Sequence, residues 1–404
     1  MAEHQVYEVA GAADVERGTL RARPVRYTLT RPGVLVGQAT GLVLLIPGFG
    51  EDNDAGYLQS LAGWIADTFG LACVEVDYHA RGCRVSSGAS RQFKQADADL
   101  LVELCRTHGV PVDEGVSGGE LTQRLHKAYG AHVAAGRSSG VLTLTCGLVT
   151  RGGDLQNFGL MQALDHLHVL ADLRHRLDYD RRNVLAMGSS HGGYLAQLIS
   201  KLAPNTLRAV FDNAGYATAP TRYIDGRHLG QPDYIERYSD VMQMYFFVDS
   251  MWSLNEQASH FYHADARAMR SLMEPEHVEA MADAGGRRTR YRCIHGPDDL
   301  IAPTREKAAC CARLAEAGFD VQYQCMGPGD VDGRYVKSLE HGLGLSLRGF
   351  FEKSYASLPA ADLDGSTDPQ TVDDFDRCTQ LAYTGPTRTY QLDFGSYGVS
   401  IALA

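Results

Sequence analysis

Short, largely apolar runs alternate along the chain with longer stretches in which apolar residues recur every three or four positions. The runs Leu42-Val43-Leu44-Leu45-Ile46, 71–78, Val184-Leu185-Ala186-Met187, 207–211, Tyr291-Arg292-Cys293-Ile294 and 321–326 read as strands. The first of them, continuously apolar, suits the middle of a parallel sheet covered on both faces. Between them, 55–69, 95–107, 155–173, 194–202, 304–317 and 343–351 carry the helical period. Strand and helix therefore take turns, which predicts an α/β fold built on a mostly parallel, twisted sheet. Residues 1–40 are more polar, and candidates such as 25–30 are expected as antiparallel edge strands.

Two stretches exceed what a strand-to-helix crossover needs. The first, 108–153, holds a helical pattern over 120–133 and a strand-like run, Gly140-Val141-Leu142-Thr143-Leu144-Thr145. The second, 215–288, is rich in aromatics: Tyr216, Tyr223, Tyr234, Tyr238, Tyr245, Phe246, Phe247, Trp252, Phe261 and Tyr262. It is expected as a helical, aromatic-rich cap, most of whose rings pack its own core. The core is then 41–214 with 289–356. Beyond it, 360–374 is acidic and turn-rich, and the alternation over 387–401 predicts one or two further strands, available to a sheet edge, the cap or a second subunit.

The chemistry gathers at strand ends. The run ending at Met187 leads into Gly188-Ser189-Ser190-His191-Gly192-Gly193 and then a helical pattern. Gly-x-Ser-x-Gly in that context places Ser190 on a tight strand-to-helix turn with its hydroxyl exposed, as a nucleophile requires. Ser189 is the rival, but it breaks the register of the turn. Downstream, His295-Gly296-Pro297-Asp298-Asp299-Leu300-Ile301-Ala302-Pro303 follows a strand, and Glu340-His341-Gly342 precedes a helix. A serine nucleophile needs a base, and the base an orienting acid, here in the order serine, acid, histidine. His341 is the last histidine in the chain and is expected as the base. Asp299 is the expected acid, with Asp298 and Asp212 as alternatives. The backbone N–H groups of His191 and of Phe49, in Pro47-Gly48-Phe49-Gly50, are the expected oxyanion donors.

These motifs resemble the α/β-hydrolase superfamily over about residues 35–355, and Gly-Ser-Ser-His-Gly-Gly-Tyr-Leu-Ala is similar to the elbow of its prolyl-oligopeptidase-like branch of peptidases and esterases. About 40 residues precede the first core strand, too few for that branch's β-propeller. The oxyanion motif usually begins with histidine, where this chain has Pro47. The segments Ile46-Pro47-Gly48-Phe49-Gly50-Glu51-Asp52, Val76-Asp77-Tyr78-His79 and Asn157-Phe158-Gly159-Leu160-Met161-Gln162-Ala163-Leu164-Asp165 resemble a bacterial family of hydrolase-like proteins found beside flagellin-glycosylation genes. That resemblance implies an acylated sugar as substrate. The expectation is a serine hydrolase of a small-molecule carboxylic ester or thioester. A peptidase or amidase, and a non-catalytic binding scaffold, are the alternatives.

Composition narrows the partners. A net charge of −11 and an isoelectric point near 5.7 argue against nucleic acid or an anionic membrane as partner. No apolar run is long enough to span a bilayer and no signal peptide is visible, so a cytoplasmic enzyme is expected. Nine cysteines without Cys-x-x-Cys spacing predict reduced thiols. Asp165-His166-Leu167-His168 and the pair His260, His263 lack a third ligand, and no phosphate loop is present, so neither metal nor cofactor is expected. A homo-oligomer is left open.

Overall fold

The computed structural model describes residues 2–19, 21, 23–33, 39–50, 56–363 and 373–404. Glu51 and Asp52, Ala55 at the expected helix start, and 364–372 of the acidic stretch lie outside the described residues. The strands along the chain are β1 (Glu3–Val9), β2 (Val25–Arg31), β3 (Leu42–Ile46), β4 (Ala72–Asp77), β5 (Ser90–Gln92), β6 (Leu142–Val149), β7 (Val184–Ser189) and β8 (Ala209–Asn213). They continue as β9 (Tyr234–Ser239), β10 (Met242–Val248), β11 (Arg290–His295), β12 (Asp320–Cys325), β13 (Gln380–Thr384), β14 (Thr389–Gly395) and β15 (Gly398–Leu403). The longer helices are α1 (Gly56–Phe69), α2 (Gln95–Thr107), α3 (Gly118–Ala134), α4 (Leu160–Arg176), α5 (His191–Leu202), α6 (Thr221–Leu229), α7 (Ala264–Arg270), α8 (Pro275–Asp283), α9 (Thr304–Glu316) and α10 (Leu347–Ala356).

The chain divides into two compact units. The larger comprises 1–81, 157–220 and 262–404. Its eight-stranded sheet runs β1-β2-β4-β3-β7-β8-β11-β12. β2 is antiparallel to β1 and β4, and all pairs from β4 to β12 are parallel. This is the α/β-hydrolase fold. β3 and β8 are buried at every position, as the unbroken apolar run of β3 requires, and β8 buries Asp212 and Asn213 at its end. Leu58, Leu61 and Ile65 of α1 and Phe350 and Phe351 of α10 cover one face through Val43, Leu45, Met187 and Phe211. α4 and α5 pack together, with α5 lying on β7 and β8. α10 begins at Leu347 rather than at residue 343, because Leu343 has φ 60° and the Ser346 hydroxyl caps the helix by accepting from Gly349 N–H.

β13, β14 and β15 form an antiparallel sheet within the larger unit. It is tied in by Glu16, a buried carboxylate that accepts hydrogen bonds from Arg270 at 2.8 Å, Tyr390 at 2.7 Å and Asn157 at 3.2 Å. Four distant stretches of chain thus share one charge.

The smaller unit comprises 82–156 and 221–261. Its four-stranded sheet runs β5-β6-β10-β9, with β6 and β10 parallel. The expected first insertion, 108–153, and part of the second thus share one unit, which also takes in 82–107 with β5 and α2, expected in the core. The expectation of a helical cap over 215–288 needs correction in two ways. Residues 234–248 form a hairpin, whose β9 alternates half-buried and exposed positions. Residues 262–288, with α7 and α8, belong to the larger unit. Within the smaller unit, buried Asp97 accepts from Arg227 at 2.7 Å, and Tyr234 stacks on Phe246 at 4.7 Å between centroids.

Candidate active site

Ser190 sits between β7 and α5 with φ 57° and ψ −120°. A non-glycine residue there costs roughly 1–3 kcal/mol and persists only where its surroundings over-determine it. Its N–H donates to Asn213 O at 2.8 Å, and its own carbonyl accepts from Tyr194 N–H at 3.1 Å. The flanking glycines are steric necessities. A Cβ on Gly188 would fall on the backbone of Gly192, and one on Gly192 would fall on the carbonyl oxygen of Ile46. The start of α5 is thereby pressed against the end of β3. Ser189, the rival, accepts from the Asn213 amide at 2.9 Å.

His341 lies in a loop that turns back at Leu343, whose N–H donates to Glu340 O at 3.0 Å. Asp299 lies in the loop after β11 and its side chain has no exposed surface. Its carboxylate accepts from Ile301 N–H at 2.9 Å and Ala302 N–H at 2.8 Å. It also takes His341 Nδ1 at 2.8 Å and lies 3.2 Å from His295 Nε2, whose hydrogen it shares with the Ala302 carbonyl at 2.7 Å. Burial pushes the Asp299 carboxyl up. The hydrogen bonds from His295, His341 and Ala302 outweigh that and hold it well below the usual carboxylate range. The carboxylate is therefore an acceptor, His341 carries its proton on Nδ1, and Nε2 is free to accept. Ser190 Oγ lies 2.7 Å from that Nε2. The fold thus joins serine, histidine and aspartate from three different loops into one hydrogen-bonded chain.

The alternative acids lie elsewhere. Asp298 is exposed. Asp212 is buried, and accepts from Lys307 Nζ at 2.6 Å, the Gln197 amide at 2.8 Å and Gly215 N–H at 2.8 Å.

Phe49, in the loop after β3, and His191, the first residue of α5, have ring centroids 5.8 Å apart. The His191 imidazole is fully buried and donates from Nε2 to Gln162 Oε1 at 2.8 Å. Burial lowers its pKa to about 3, and lowers that of neighbouring His166 to about 4. His191 thus turns a neutral side chain inward and has its backbone on the turn. Gln162 also donates to His79 O at 3.2 Å, and Asp165 accepts from His79 N–H at 2.7 Å. The segments Val76–His79 and Asn157–Asp165 meet in this buried polar network behind the turn.

Three residues of the site were not singled out from sequence. Gln162 and His295 lay inside quoted segments without a role. Tyr216, grouped with the cap aromatics, belongs to the larger unit, and its hydroxyl lies 3.4 Å from Ser190 Oγ. Its place four residues beyond Asp212, at the end of β8, was the available signal. Of the histidines weighed as metal ligands, His166 donates to Gln162 O, His168 to Val399 O, and His263 accepts from Ala266 N–H. Among the described residues no three His, Cys, Asp or Glu side chains group as a metal site. All nine cysteines are free. No described helix is long and apolar enough to cross a membrane.

Among solved structures, the chain is similar to acylaminoacyl peptidase from Pyrococcus horikoshii, at 12% identity and TM-score 0.44, over 81% of this chain and 37% of that one. It is similar to a puromycin-hydrolysing peptidase of Mycobacterium tuberculosis at 12% identity and TM-score 0.41, over 87% of this chain and 38% of that one. It is also similar to an S-formylglutathione hydrolase from Agrobacterium tumefaciens at 12% identity and TM-score 0.43, over 88% of this chain and 93% of that one. The chain thus spans well under half the length of the two peptidases. No curated protein sequence matches it. A family described as "Protein of unknown function (DUF2920)" matches residues 5–396, nearly the whole chain, and to that family the chain belongs.

Proposed function

We propose that the protein is a serine hydrolase that cleaves a carboxylic ester or thioester of a small molecule through an acyl-enzyme. The observation that carries this reading is the Asp299–His341–Ser190 chain, with 2.8 Å and 2.7 Å links and a strained serine at its end. His341 Nε2 takes the Ser190 proton as Oγ forms a bond to the acyl carbon. The carbonyl electron pair moves to oxygen, and the backbone N–H groups of His191 and Phe49 donate to that oxyanion. One such donor contributes roughly 3–4 kcal/mol in comparable sites. Collapse breaks the bond to the leaving group, which takes the proton from His341. Water then gives a proton to His341 and attacks the acyl carbon, and Ser190 leaves reprotonated. Asp299 holds the tautomer of His341 and stabilises its charged form. The resemblance of the segments around residues 46, 76 and 157 makes an acylated sugar the first substrate class to try.

The test is labelling with a fluorophosphonate probe, with the adduct located by peptide mass spectrometry. A single adduct on Ser190, absent from Ser190→Ala, is expected. Folded protein that takes no adduct would overturn the reading in favour of a binding scaffold.

A further inference from the structure

The Tyr216 hydroxyl is 3.4 Å from Ser190 Oγ, and the direction of that contact follows from the tautomer already derived. Asp299 fixes the His341 proton on Nδ1, so Nε2 accepts and the Ser190 hydroxyl donates to it. Oγ has then spent its only proton. The hydrogen in the Tyr216 contact comes from tyrosine, and Oγ is its acceptor.

The loop that presents Tyr216 is braced. Ala214 has φ 53°, and its N–H donates to Ile294 O at 2.9 Å. Gly215 N–H donates to Asp212, and the Tyr216 carbonyl accepts from Lys307 Nζ at 3.2 Å. The ammonium of Lys307 is itself held by Asp212, with neither side chain more than 1% exposed. The ring lies against Phe158, 5.9 Å between centroids, and nearly parallel to that of His341, at 20°. Tyr216 is 2% exposed. A buried charge pair and a left-handed alanine thus hold one phenol beside the serine oxygen.

At 3.4 Å the bond is long for O–H···O and contributes little while Oγ is a neutral hydroxyl. Its strength grows with negative charge on Oγ, and an interaction stronger in the transition state than in the ground state accelerates the step. Within the hydrolase reading, on which this inference rests, Oγ gains most charge when it departs. During acylation Oγ attacks, and a donor that stabilises its charge also blunts its nucleophilicity. During deacylation the Oγ–C bond breaks, the bonding pair returns to Oγ, and His341 delivers the proton. We propose that Tyr216 is a catalytic hydrogen-bond donor to Ser190 Oγ as leaving group, acting chiefly in deacylation and transferring no proton itself.

The test uses p-nitrophenyl dimethylcarbamate, an ester whose carbamoyl-enzyme decays slowly enough for intact mass spectrometry to follow formation and loss separately. For Tyr216→Phe, decarbamoylation is expected to slow about tenfold, the low end of a hydrogen bond to a developing charge. Carbamoylation is expected to slow less than about twofold. Equal slowing of both steps overturns the proposal, since an oxyanion donor or a packing role would give that result. Unchanged decay, or a larger effect on formation, also overturns it. Should Tyr216→Phe fail to fold, 3-fluorotyrosine at position 216 keeps the ring and strengthens the donor. Faster decay is then expected, and an unchanged rate overturns the proposal. Failure of the wild type to label on Ser190 sinks the hydrolase reading itself. Normal labelling of wild type with unchanged decay in the variant sinks only the role of Tyr216.

Discussion

Asp299 and Asp212 make a natural pair. Both follow or end neighbouring parallel strands, β11 and β8, and both side chains are fully buried. Asp299 is surrounded by two backbone N–H groups and two imidazoles. Asp212 is surrounded by one backbone N–H, one amide and the Lys307 ammonium. Burial pushes Lys307 down, but the charge of Asp212 outweighs it and holds the ammonium above the usual lysine range. One carboxylate therefore faces a partner whose proton can move within a hydrogen-bonded chain, and the other faces a charge that stays put. The same residue type at equivalent strand ends takes a hydrogen-bonded imidazole in one place, where we propose chemistry, and a fixed ammonium in the other, where it braces a loop.

The largest expected effect tests the chemical half. Asp299→Asn should lower kcat for a p-nitrophenyl ester about 10⁴-fold, because the amide favours the wrong tautomer of His341. Circular dichroism should show the variant folded at 25 °C. A loss of that size in Asp212→Asn, with Asp299→Asn active, would exchange the two roles.

The bracing half is read in stability. Asp212→Asn leaves the Lys307 ammonium buried without its counter-charge, and urea unfolding should show a loss of about 3–5 kcal/mol. A midpoint equal to the wild type would mean that the pair holds nothing.

A smaller effect separates the site imidazole from those behind the turn. His166 and His191 have pKa values lowered by burial to about 4 and about 3. The unfolded chain takes up these protons near pH 6.5 and the folded chain does not. Their contribution is complete above pH 6.5 and is lost as pH falls toward 4 and 3, by about 1 kcal/mol per histidine per pH unit. Urea midpoints should begin to fall below pH 6.5, since the two losses together exceed the opposing gain from Asp233, whose carboxyl burial pushes up to about 7. A flat profile down to pH 4.5 would show these rings to be charged or solvated.

The smallest effect is a null. Asp298→Asn removes an exposed charge beside Asp299, and both kcat and the urea midpoint should stay within error. A loss of turnover there would reopen the choice of acid.

Much of the larger unit was legible in sequence because its signals are local. Unbroken apolar runs mark β3 and the start of β7, and the small residues around Ser190 mark a turn that tolerates nothing larger. Serine, acid and histidine could be named from their order at strand ends. The division of the smaller unit was hidden because its pairing is non-local: β6 adds β10 in parallel, matching Leu142 with Met242 across an intervening stretch that holds β7, α5 and β8. Aromatic content cannot distinguish a hairpin over 234–248 from a helix. Lys307 was hidden for a different reason. A lysine on an amphipathic helix reads as solvated, and only the tertiary fold turns it toward Asp212. Tyr216 was hidden by grouping with rings that belong to the smaller unit.

The carboxylate of Glu16 bears on how this protein is made. Its partners Asn157, Arg270 and Tyr390 leave the ribosome in that order, the last one 374 positions after Glu16. Until then a charge destined for the interior lacks part of its solvation, and the larger unit is expected to close its core only once residue 390 has emerged. The smaller unit has its whole sequence by residue 261 and can settle while translation continues. A ribosome stalled between residues 270 and 390 should therefore carry a nascent chain in which the two units differ sharply in resistance to protease.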